Sequence, residues 1–85
     1  MYAEDMMELR HKIARREELR TKLADSCNAR KEAKERGDEK RIMRERIRES
    51  RMMTFIQRLN EEIHEQCRAL RVTEEEMGAS EETQE

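Results

Sequence analysis

Two Glu-x-x-His pairs, Glu8 with His11 and Glu61 with His64, are the side chains best suited by type to bind a ligand. On facing helices of a bundle, such pairs join further glutamates to hold two metal ions, provided all of them point inward. At about 100° per residue, Glu8 and His11 lie well away from the Leu9–Ile13 side. Glu61 and His64 lie equally far from the Ile63 side. Both pairs therefore face water, and neither a metal nor a cofactor is expected. With 21 acids in 85 residues, a Glu three places before a His also arises readily.

Cys27 and Cys67 are the two cysteines, and their separation matches no metal-ligand spacing. Cys67 flanks an apolar seam, where a free thiol behaves as a small apolar side chain. The sequence shows no nucleophile–base arrangement and no phosphate-binding glycine pattern. A chain this short has little room to enclose a substrate. An enzyme is not expected.

The element that must position everything else is Arg51 to Arg71, RMMTFIQRLNEEIHEQCRALR. Met52, Ile56, Leu59, Ile63 and Leu70 recur at helical spacing and fall on one face. The same spacing fits the two apolar positions of a heptad. The intervening Arg, Glu and Gln are good helix formers. A surface helix with one apolar edge needs a partner. Upstream, Met6, Leu9, Ile13 and Leu23 make a second seam, running through 6, 9, 13, 16, 20, 23 and 27. Arg16 and Arg20 occupy two of its slots, and Leu19 sits on its flank.

Gly37-Asp38 punctuates the chain. Gly suits the left-handed residue that ends a helix, and Asp suits the start of the next. Lys34 and Arg36 before it, and Glu39 after it, complement the helix dipoles. The expected fold is all-α: an antiparallel helical hairpin with helices about 5–36 and 39–72 and the turn at 37–38. Asp5 with Glu8 reads as a capping pair for the first helix.

One unbroken helix is the alternative, about 100 Å long at 1.5 Å per residue. The two seams differ in register by one residue across Gly37, which coiled coils do not absorb as they absorb three or four. Folding back instead brings together residues equidistant from the turn. Leu23 then lies near Met52, Leu19 near Ile56, Ile13 near Ile63, Leu9 near Cys67 and Met6 near Leu70. Two hairpins would pair as a four-helix bundle or coiled coil, so a homodimer through these apolar residues is expected. Disorder is the third alternative, favoured by 47% charged residues and only two aromatics. After Leu70, Val72 to Met77 reads either as a fraying end or as a new helix start. Thr73 and Glu76 would form its capping box, with Val72 and Met77 as its hydrophobic staple. Residues 1–77 form a single domain, and 78–85, GASEETQE, read as a disordered acidic tail.

The net charge of −2 conceals an asymmetry. Residues 10–51 carry 16 Lys and Arg against 9 acids, whereas 52–85 carry 3 Arg against 9 Glu. The basic segment 30–51 is the candidate contact surface. Arg30, Lys34, Lys40, Arg41, Arg44, Arg48 and Arg51 supply charge, and Met43 and Ile47 supply apolar anchors. An ordinary solvated face is the simpler account, with pairs such as Glu32–Arg36, Arg41–Glu45 and Glu45–Arg48. Arg16 and Arg20 either lay their stems over apolar neighbours or form a polar layer with acids such as Glu17, Glu61 or Glu62.

These features point to a small non-enzymatic protein that binds another macromolecule through helical contacts, as adaptor, inhibitor or small subunit. An acidic protein is the expected partner. DNA or RNA gripped by phosphates is the alternative, weakened by the lack of aromatics within 30–51. A purely structural coiled-coil subunit is a third reading. No apolar run approaches membrane-spanning length, and no signal-peptide pattern is seen. The expected location is cytoplasmic or nuclear, with reduced thiols.

Overall fold

The computed structural model describes residues 2–77. Two α-helices, α1 (Tyr2–Arg36) and α2 (Glu39–Leu70), run antiparallel and pack along their length. The long dimension is 51 Å, the length of one helix, so the chain folds back on itself. The proposed acidic tail, 78–85, lies outside the described residues.

The turn forms for the reasons its residues suggest. Gly37 adopts φ +71°. Its N–H donates to the Lys34 carbonyl at 3.2 Å, and the Asp38 N–H to the Ala33 carbonyl at 2.9 Å. These two bonds satisfy carbonyls that the helix end would leave open. The Asp38 carboxylate then accepts from the Arg41 N–H at 3.1 Å and caps α2. At the other end α1 begins at Tyr2, earlier than the sequence suggests. Asp5 therefore sits inside the first turn with Glu4, where acids suit the helix dipole, and does not cap the helix.

Two apolar clusters join the helices. Leu9, Ile63, Cys67 and Met77 are buried at the open end, with Met6, Ile13, Leu59, Leu70 and Val72 packed around them. Leu19, Met52 and Ile56 form the second, flanked by Leu23 and Leu59. The α2 seam follows its heptad. The α1 seam departs from the sequence reading after Arg16, and Leu19 and Ser26 are buried where Arg20 and Cys27 were expected. The reason is energetic. Burying Leu19 removes apolar surface from water, whereas burying Arg20 would strip a charge of solvent. Arg20 instead stays at the surface and meets Glu17 at 2.7 Å.

Beyond Leu70 the chain reverses and starts again. Arg71 is left-handed at φ 56°, and Val72 N–H donates to the Cys67 carbonyl at 3.0 Å. Thr73 then caps a single helical turn over 74–77, its hydroxyl accepting from the Glu76 N–H at 3.1 Å. Met77 is driven into the open-end cluster at 2% exposure. The segment is therefore a new helix start capped by Thr73, the half of the expected capping box that the structure shows, and not a fraying end.

Candidate nucleic-acid or protein interface

Near the turn, polar side chains replace the apolar seam. Ser26 donates to the Glu45 carboxylate. The Cys27 thiol donates to Glu49 Oε1 at 2.7 Å, and Arg30 Nε lies 2.9 Å from Glu49 Oε2. The Glu49 carboxyl is held below its ordinary range, chiefly by the Cys27 hydrogen bond and then by Arg30. The same hydrogen bond pushes the Cys27 thiol up. Burial does so for Cys67. Both thiols are thereby kept protonated and poorly nucleophilic.

This polar layer decides the charge of the opposite side of α2. From Lys40 to Asn60 the sequence holds seven Lys and Arg and only two acids, Glu45 and Glu49. Both acids turn inward to α1. Lys40, Arg44, Arg46, Arg48, Arg51 and Arg58 are exposed, and Arg41 is half-buried. Among the described residues none of these seven side chains forms an ion pair. The compensation expected from Arg41–Glu45, Glu45–Arg48 and Glu32–Arg36 is not made.

Met43 and Ile47 stand on this outer face at 62% and 50% exposure. At about 100° per residue they lie opposite Met52 and Ile56. Phe55, 53% exposed, lines a shallow depression with Ser50, Arg51, Thr54 and Arg58. Of the sequence-nominated contact residues, Met43, Arg44, Ile47 and Arg51 share the outer side of α2 with Lys40, whereas Arg48 lies on the side that borders α1. Lys34 is exposed on α1. Arg30 is engaged by Glu49, and Arg41 and Arg48 line a separate dent with Lys22, Asp25, Ser26 and Glu45. Arg46, Phe55 and Arg58 were not singled out in sequence. A second four-three repeat through 43, 47, 50 and 54 would have marked their neighbourhood.

The nine seam residues nominated for self-association pack against one another inside one chain. A four-helix bundle would have to be built on surfaces those contacts leave open.

At the open end, Arg16 is 5% exposed. It donates to Asn60 Oδ1 at 2.7 Å and to the Glu74 carboxylate. Arg16 therefore forms the polar layer. Its acid is Glu74, with Glu17, Glu61 and Glu62 not used by it. That contact holds the Glu74 carboxyl below its ordinary range. His64 Nε2 lies 3.5 Å from Glu74 and is mostly exposed. Glu8 pairs with Lys12 at 3.5 Å, and His11 and Glu61 face solvent. Among the described residues no three His, Cys, Asp or Glu side chains converge as a metal site, and no helix is long and apolar enough to cross a membrane.

No protein-family model matches the chain, and neither does any curated protein or solved structure.

Proposed function

We propose that this chain is a small non-enzymatic binding module, an adaptor, inhibitor or small subunit, that docks an acidic macromolecule on the outer face of α2. One observation carries the reading. Glu45 and Glu49 both bond to α1, and among the described residues the arginines around Met43 and Ile47 form no ion pair with an acid. A face of one sign attracts a partner of the other and disfavours like-charged ones. Exposed Met43 and Ile47 add apolar area that a merely solvated helix face does not need. A protein partner fits this mixture better than phosphates alone.

Nucleic acid is the second reading, favoured by Phe55 between Arg51 and Arg58, since an exposed ring beside cations can stack on a base. Titration with random-sequence duplex DNA and structured RNA, at low and physiological salt, separates the two. The protein-docking reading expects weak binding that vanishes at physiological salt. Binding that survives physiological salt and is lost on reversing Arg44, Arg51 and Arg58 to Glu would transfer the face to nucleic acid.

A further inference from the structure

Resting on the docking face just proposed, we infer that its occupant is a single partner helix, packed as a coiled coil and carrying acidic residues along the flank of its apolar stripe that meets Arg44, Arg51 and Arg58. The outer side of α2 has the required pattern. Met43, Ile47, Ser50 and Thr54 follow one another by four, three and four, the spacing of a helix-packing seam. This seam is independent of the inner one. Met52, Leu59 and Glu45 occupy the positions farthest from it and face α1.

The flanks of the outer seam carry the specificity. Arg44, Arg51 and Arg58 recur every seventh residue along one side, whereas the other side carries Arg46, then Met53 and Asn60. In paired helices these flanking positions face those of the partner, and their charges select it. Arginine at three successive positions calls for carboxylates opposite, which guanidinium forks bind as charge-assisted pairs. Inside the seam the side chains shorten. Ser50 and Thr54 leave the depression bordered by Arg51, Phe55 and Arg58, which admits a large apolar side chain from the partner. Met43 and Ile47 project and would enter the partner's own gaps.

The same pattern argues against two other occupants. A second copy joined through this face would set arginine against arginine, a like-charge contact that costs affinity. A nucleic-acid backbone would satisfy the arginines but leave Met43 and Ile47 against phosphate.

The test uses the full chain and two synthetic helical peptides of about three heptads. Both have the same Ile and Leu seam. One carries Glu at both flanking positions and the other carries Lys. The Glu peptide should bind at least about tenfold tighter than the Lys peptide at physiological salt. Changing Ile47→Asp together with Met43→Asp should abolish binding without loss of helicity, because both residues are exposed. Changing Arg44, Arg51 and Arg58 to Glu should invert the peptide preference. Equal affinity for the two peptides, no binding of either, or an unchanged preference in the charge-reversed variant would overturn the inference. A photo-crosslinker at position 47 distinguishes that failure from failure of the docking face. If it still captures a partner identified by mass spectrometry, in a reaction that the arginine reversal blocks, the face stands and only the coiled-coil helix is wrong. If capture is absent too, both fall.

Discussion

Arg30 Nε lies 2.9 Å from the Glu49 carboxylate, a contact between the two helices that engages one of the two acids between Lys40 and Asn60. Ser26 engages the other through Glu45. The hairpin is thus held near its turn by the only two acids between Lys40 and Asn60. Packing and electrostatics are coupled there. A change in the polar layer should alter both the thiol beside it and the face behind it.

Cys27 reports on that layer. Its thiol donates to Glu49, which pushes its titration upward. Glu49→Gln removes the carboxylate. Cys27 should then ionise at lower pH, and its alkylation rate should rise at neutral pH. The pH–rate profile for iodoacetamide checks this, with the Cys67→Ser background isolating one thiol. An unmoved profile would mean that Glu49 does not control the thiol.

The open end should be sensitive to acid. Arg16 holds Glu74 below the ordinary carboxylate range, so the folded state binds its proton less readily than the unfolded state does. The contact stabilises the fold fully above about pH 5 and is lost as pH falls through about 4 and below. Glu74→Gln should cost about 1 kcal/mol near neutrality, a modest value because the carboxylate is partly exposed. It should also flatten part of the stability loss between about pH 5 and pH 3. Urea melts at several pH values measure both effects.

Ile63 is fully buried in the open-end cluster. Ile63→Glu places a charge there with no partner provided and should unfold most of the hairpin, a loss of roughly 3 kcal/mol or more. Met77→Ala should cost about 2 kcal/mol, near the low end for a buried Met. Circular dichroism with thermal melts distinguishes the two magnitudes. Native-like melting of both variants would deny that residues 72–77 close the cluster.

Arg71 takes a left-handed conformation that costs a side chain about 1 kcal/mol and glycine much less. Arg71→Gly should therefore stabilise the protein by a few tenths to about 1 kcal/mol, the gain reduced by the greater freedom of the unfolded chain. A higher midpoint in urea at unchanged slope is the expected sign.

Much of the hairpin was legible because its signals are local or periodic. Gly37-Asp38 carries its own turn chemistry, the α2 seam repeats with a single gap at Gln66, and Thr73 with Glu76 specifies a cap. The α1 seam was harder. Arg16 and Arg20 look alike in sequence, yet only Arg16 is buried, because Asn60 and Glu74 reach it from distant parts of the chain. Leu19 then takes the seat assigned to Arg20. Arg71 gave no warning, since a left-handed helix end normally announces itself with Gly or Asn. The candidate face was half legible. Its basic residues and the anchors Met43 and Ile47 stand out in sequence. Helical spacing already places Glu45 and Glu49 on the inner side, but their engagement by Ser26, Cys27 and Arg30 depends on contacts across the hairpin.

The most direct test of the outer α2 face compares photo-crosslinkers placed at Ile47 and at Glu18, an exposed α1 position away from that face, with adducts identified by mass spectrometry and by nuclease treatment. Docking on this face predicts a discrete protein adduct from position 47, little from position 18, and loss of the adduct when Arg44, Arg51 and Arg58 are reversed. Equal adducts from both positions, or an adduct at 47 that survives the reversal, would contradict it.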